Sequence, residues 1–360
     1  MARPMLDGRE EELVLEVLRS GMLSLGPMVG RFEEAFAAMA GTRFAVSCSS
    51  GTTGLHLCVR ALGIGPGDEV VTTPFSFVAT ANALLYEDAT PVFADIDEET
   101  YNVDPDAAAA AVTSRTKALL PVHIFGESAD MDPLLATAAR HGLHVIEDAA
   151  EAVGTRYRGR AVGTFGHPAM FAFYPNKQMT TGEGGIVTTD DPDLYALMRS
   201  LINQGRADDG SWLHHVRLGY NYRLSDVACA IGLGQLERLE AMLALRERVA
   251  GWYDEALADV PVVRPARRDP GRTWFVYVVR VPEGADRDAV ARRLAERGVA
   301  SKPYLPAIHL QPFYAERFGY RPGSLPVCER VSASTLALPF FPQMSEGQVA
   351  RVAEALRAVV

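Results

Sequence analysis

The chain has 360 residues, a net charge of −10 and 48% hydrophobic residues. That length suits one large domain plus a smaller one, and that apolar fraction supports a packed core over disorder. The acidic balance argues against nonspecific nucleic-acid binding, and no apolar run is long enough to span a membrane.

The spacing of Leu13, Leu15 and Leu18 predicts a helix over Arg9–Ser20, ended by Gly21, and a second helix covers Val29–Met39. Strands and helices then alternate. "FAVSCS" leads into the helix "GTTGLHLCVRALG", "DEVVTTP" into "SFVATANALLYED", "PVFADID" into "DPDAAAAAVTS", and "KALLPVHIFG" into "DMDPLLATAARHG". "LHVIEDAA" adds a further strand. This rhythm indicates an α/β fold with a mostly parallel sheet and helices on both faces. "AMFAFY" and "GGIVTTD" read as strands and "DPDLYALMRSLINQG" as a helix. A long helical stretch from Ser225 to Leu257, bent at its glycines, joins residues 1–249 to a small α+β domain over 250–360. That domain holds the strand "TWFVYVVRVP", the helix "DRDAVARRLAERG", a Pro-rich loop and the helix "SEGQVARVAEALRAV". The first residues lack a signal-peptide core. Cys48, Cys58, Cys229 and Cys328 are spaced neither as a metal knuckle nor as a redox pair. They read as reduced thiols of a cytoplasmic protein, with no metal site.

Ligands of open α/β sheets sit beyond the carboxyl ends of the strands. After "FAVSC" comes "SSGTTG", a helix start able to cradle phosphate, although ordinary capping explains it when taken alone. Asp148 ends the strand "HVIE", where an acid needs a cation or hydrogen bonds. Phe77 follows "DEVVTTP" and is able to cover a flat ring or simply to fill the core. Lys177 ends the apolar run "FAFYPN" before the glycine-rich "TGEGG". A desolvated lysine there becomes a nucleophilic amine; a snorkelling surface lysine is the plainer reading. Together these four roles match the four handles of pyridoxal 5′-phosphate.

The segments "GPMVGRFEEAFA", "SSGTTGLHL", "TPFSFVATANAL", "VIEDAAEAVG", "FYPNKQMTTGEGGIV", "GYNYRLSDVACAIGLGQL" and "PYLPAIHLQPFY" span nearly the whole chain. With them the chain resembles the DegT/DnrJ/StrS family of sugar aminotransferases, which have the aspartate-aminotransferase-like fold (fold type I). The resemblance implies Lys177 as the Schiff-base lysine and Asp148 as partner of the pyridine nitrogen. It implies Gly51, Thr52 and Thr53 at the phosphate and Phe77 against the ring. Glu151 stands near the cofactor hydroxyl, where many members have glutamine or histidine. Asn221 resembles an asparagine that reaches the neighbouring subunit's cofactor phosphate, which makes the active unit a homodimer. His309 matches a histidine near the sugar site. One departure is Ala172, where many members have a serine on the phosphate; Thr181 is a candidate replacement.

The implied reaction moves an amino group from L-glutamate to a nucleotide-linked keto sugar. "EDAAEA" with "NKQMTTGEGG" looks most like the perosamine-synthase branch, which aminates C4 of GDP-4-keto-6-deoxymannose. UDP- or dTDP-linked 3- or 4-keto sugars and a keto-cyclitol compete. Arg223 or Lys302 is a candidate for the nucleotide pyrophosphate, with a plain surface charge at least as good a reading of each. A sugar dehydratase of the same fold is disfavoured by Lys177 and by the scattered cysteines. A noncatalytic regulator is disfavoured by the complete set of cofactor handles.

Overall fold

The computed structural model describes residues 3–209, 211 and 213–360. In chain order the strands of the first part are β1 (Phe44–Cys48), β2 (Glu69–Thr72), β3 (Thr90–Phe93), β4 (Thr116–Leu120), β5 (His144–Val145) and β6 (Glu147–Asp148). A small hairpin, β7 (Arg156–Tyr157) and β8 (Arg160–Ala161), stands apart, and β9 (Ala169–Ala172) and β10 (Gly185–Thr189) follow. Strands β3, β2, β4 and β5 pair in parallel, as do β6 and β9. Ile146 N donates to Leu119 O and Asp148 N to Pro121 O, both at 2.9 Å. These bonds make β5 and β6 one strand interrupted at Ile146, and they join two four-stranded pieces into a single sheet.

The resulting order is β3-β2-β4-β5/β6-β9-β10-β1, in which β10 alone runs antiparallel to its neighbours. Every residue of β2, β9 and β10 is buried, as helices on both faces require. Cys48 and Ala172, at the carboxyl ends of β1 and β9, both pair with Gly185 at the amino end of β10. That register draws three distant loops to one edge.

The first helix runs Gly8–Ser20 and starts on a capping box of Asp7 and Glu10. Its buried stripe is Glu10, Leu13 and Val17, while Leu15 and Leu18 face outward, contrary to the leucine spacing. The next helix, Pro27–Ala40, brings Phe32 and Phe36 edge-on to Phe173 and Phe171, with ring centroids 5.6 and 5.1 Å apart.

The long helical stretch breaks at Arg238 (φ −117°, ψ 8°), not at its glycines. Arg238 turns there to pair with Asp7 and Glu10. Gly232 instead admits the Phe32 ring, which a Cβ would meet at 2.8 Å. The following helix, Leu239–Ala256, gives Leu239 and Met242 to the core beside the large sheet and Val249, Ala250 and Tyr253 to a second core. The second core lies under β11 (Tyr277–Arg280), β12 (Lys302–Pro303) and β13 (Thr335–Leu338), antiparallel in the order β11-β13-β12. The strand expected from Thr273 therefore begins at Tyr277. The Pro-rich loop holds two helices, Pro312–Phe318 and Pro326–Ser334, each with proline in its first turn. Among the described residues no helix is long and apolar enough to cross a membrane.

Candidate active site

A cavity of about 420 Å³ opens at the carboxyl edge of the large sheet, lined by Gly51, Thr52, Phe77, Asp148, Glu151 and Lys177 among others. The helix Gly51–Ala61 forms one wall. Ser50 caps it by accepting from Thr53 N at 3.1 Å. Among the described residues no acceptor takes up the amides of Gly51 and Thr52, which leaves the positive end of the helix available to an anion. Gly51 is required by close approach: a Cβ there would stand 2.7 Å from Ala172 Cβ. Thr53 does not line the cavity, because its hydroxyl donates to Ser50 O at 2.9 Å within the capping box.

Asp148 lies opposite, 3% exposed. Its two oxygens accept from Thr80 Oγ1 at 2.8 Å and Ala150 N at 3.1 Å. Burial raises its pKa, and the hydrogen bond from Thr80 opposes that shift. The adjacent Glu147 faces away, fully buried, and accepts from the amides of Gly163, Phe165 and Gly166 and pairs with His123 Nε2. His123 Nδ1 accepts from Ala129 N, which leaves Nε2 as the protonated nitrogen.

Strand β9 ends at Ala172, so Lys177 sits on the following turn and not on the strand. Its Nζ lies 3.3 Å from Glu151 Oε1 and 4.2 Å from the centre of the Phe275 ring. Glu151 Oε2 accepts from Phe125 N at 3.0 Å. Burial raises the Glu151 pKa, and the Lys177 charge opposes it. Phe77 lines the cavity with 62% of its surface exposed, free to cover a flat ligand.

The other expected residues lie elsewhere. Thr181 is buried and donates to Glu183 O at 2.6 Å, so its hydroxyl is spent inside the turn. Ala172 itself lines the cavity. Arg223 lines a separate cavity of about 270 Å³ beside Glu33 and Arg199, and donates to Asn203 Oδ1 and Gln204 Oε1. Lys302 is exposed on β12. Asn221 is exposed and outside the cavity of its own chain. His309 is 0% exposed, pairs through Nε2 with Glu329 at 3.1 Å, and does not line this cavity of its own chain. Tyr304, Asn176 and Phe275 were not anticipated. Tyr304 and Asn176 line the cavity, and Asn176 Oδ1 is buried without a partner among the described residues.

These groups suit pyridoxal 5′-phosphate. A helix start and the Thr52 hydroxyl match a phosphate, a buried carboxylate without an ion-pair partner among the described residues matches a protonated ring nitrogen, and a lysine amine matches an aldehyde. The fold and this cavity define the fold-type-I class of pyridoxal-phosphate enzymes. The chain belongs to the DegT/DnrJ/EryC1/StrS aminotransferase family, whose pattern it matches over residues 4–357. It is 43% identical over 372 residues to the spore coat polysaccharide biosynthesis protein SpsC of Bacillus subtilis (strain 168), covering 99% of this chain and 96% of that protein. It is also 43% identical over 366 residues to the GDP-perosamine synthase of Caulobacter vibrioides, covering 100% of this chain and 98% of that protein. The crystal structure of S. venezuelae DesV in complex with a ketimine intermediate matches with a TM-score of 0.91 at 38% identity, covering 97% of this chain and 93% of that one.

Proposed function

We propose that this aminotransferase uses pyridoxal 5′-phosphate to move an amino group from L-glutamate to C4 of GDP-4-keto-6-deoxymannose. The observation that carries the cofactor reading is one cavity onto which Lys177, Asp148 and the start of the helix Gly51–Ala61 all open. The likeness to a GDP-perosamine synthase favours the GDP-linked 4-keto sugar. A UDP- or dTDP-linked 3- or 4-keto sugar, or a keto-cyclitol, is the alternative within the same chemistry.

When bound, the cofactor supplies an electron sink for breaking a C–H bond next to nitrogen. The chain's residues do the rest. The amides of Gly51 and Thr52 and the Thr52 hydroxyl bind the phosphate. Asp148 holds the proton on the ring nitrogen, because its buried carboxylate gains more from a cation than from neutral donors. Phe77 covers the ring. The Lys177 amine, in its neutral form, would take the proton from the donor carbon, and Glu151 would orient it by accepting its hydrogen bond. Asn221, exposed and away from its own cavity, fits a site completed by a second copy of the chain.

The test is a half-reaction. The protein is loaded with pyridoxamine 5′-phosphate and freed of excess, and GDP-, UDP- and dTDP-linked keto sugars are added singly, with amino-sugar product read by mass spectrometry. Product from the GDP-linked 4-keto sugar alone is expected. Product from another nucleotide overturns the substrate, and no product from any overturns the sugar reading.

A further inference from the structure

A buried arginine with no carboxylate partner among the described residues holds the main chain of Lys177. Arg246, in the helix Leu239–Ala256, is 4% exposed. Its Nη2 donates to Lys177 O at 2.8 Å, and its Nη1 donates to Trp274 O and Phe275 O, both at 3.2 Å. Its Nε has no partner among the described residues. Burial lowers its pKa to about 10, and no neighbouring charge contributes. Burying a cation without a counter-charge is costly. The explanation for the charge therefore lies in what it holds.

It holds the two segments that frame the Lys177 amine. One is the turn carrying Lys177. The other is Thr273–Phe275, which sets the Phe275 ring 4.2 Å from Nζ. One other side-chain hydrogen bond ties the same pair: Gln178 Nε2 donates to Thr273 Oγ1 at 3.3 Å. A guanidinium suits this task because its planar fork serves three carbonyls at once, which an ammonium on a flexible stem cannot do in this geometry.

We propose that Arg246 is a positioning residue that fixes the Lys177 main chain against Phe275, so that proton transfer moves only the lysine side chain. This rests on Lys177 being the reacting amine.

The test uses the full-length chain and the variants Arg246→Met and Arg246→Lys. The chain has three lysines, Lys117, Lys177 and Lys302, so acetylation by N-hydroxysuccinimide acetate is readily resolved by peptide mass spectrometry. In cofactor-free protein that remains folded, the Lys177-to-Lys302 acetylation ratio is expected to rise about fivefold or more in Arg246→Met. In cofactor-loaded protein, the single-turnover rate with L-glutamate is expected to fall about tenfold or more with its half-saturation within threefold, and Arg246→Lys recovers part of that rate. A ratio within twofold of the parent in Arg246→Met overturns the proposal. If Arg246→Met does not fold, a parental ratio and rate in Arg246→Lys overturn it equally, and an intermediate ratio and rate support it. A parent chain that fails to react with L-glutamate sinks the aminotransfer reading, while the acetylation ratio still decides the role of Arg246.

Discussion

Nζ of Lys177 lies 3.3 Å from Oε1 of Glu151, with the two side chains 12% and 6% exposed. The same carboxyl also accepts from Phe125 N, so the pair is anchored to the loop after β4. Two substitutions separate the partners. Lys177→Ala is expected to lower multiple-turnover activity by about 10³-fold or more. Glu151→Gln keeps an acceptor for Phe125 N but removes the charge, and is expected to lower kcat by about 3- to 10-fold, a modest loss at a position where many family members carry glutamine or histidine. Steady-state assays decide, and a Glu151→Gln rate within twofold of the parent makes the carboxylate a structural group only.

Asp148 is expected to trade stability for cofactor binding. Burial raises its pKa in the folded chain above the unfolded value. The stability tied to the neutral acid is thus fully present below about pH 3.9 and is lost as pH rises through the folded pKa. Cofactor-free Asp148→Asn should melt at or above the parent at pH 8, with a flatter profile as pH rises above about 4. It should bind pyridoxal 5′-phosphate about tenfold more weakly or worse. Equal cofactor affinity by titration would remove Asp148 from the ring nitrogen.

Ala172 lines the cavity with its Cβ against Gly51. Ala172→Ser places a hydroxyl beside the unpaired amides of the helix start. One added hydrogen bond to phosphate corresponds to about 1 kcal/mol, or about fivefold tighter cofactor. Equilibrium dialysis of the two proteins measures it, and unchanged affinity would show that the phosphate lies out of reach of this position.

Glu127 provides a pH signature away from the reacting groups. Burial raises its carboxyl to about 7, against the opposing charge of Arg272 at 3.5 Å. The stability it contributes is fully present below about pH 4.3 and is lost as pH rises through about 7. The loss is on the order of 3–4 kcal/mol. Glu127→Gln should flatten the stability profile across that window in urea titrations. Parallel profiles would show that the acid titrates normally.

His309 is buried against Glu329, with Nδ1 unpaired among the described residues. His309→Ala is expected to cost about 1–3 kcal/mol of stability. The KM for the keto sugar should stay within about threefold. A large rise in KM without a loss of melting temperature would return the histidine to the substrate.

Much of the site was legible in the chain because its local reasons are local. Apolar runs ending in Asp148 and near Lys177, and a small-residue helix start at Ser50–Thr53, announce strand ends and a cap through backbone geometry alone. Alternating strands and helices likewise imply the parallel sheet. The tertiary structure decided which of those groups share a space. Residues 48, 172 and 185 meet because β10 is inserted antiparallel between β9 and β1. Thr53 and Thr181 spend their hydroxyls on nearby backbone, Arg223 opens on another cavity and His309 is sealed by Glu329. Arg246 carries no motif in its helix, and its role exists only through the carbonyls of Lys177, Trp274 and Phe275. A residue's chemistry is written in its type, but its burial and its partners depend on packing between segments far apart in the chain.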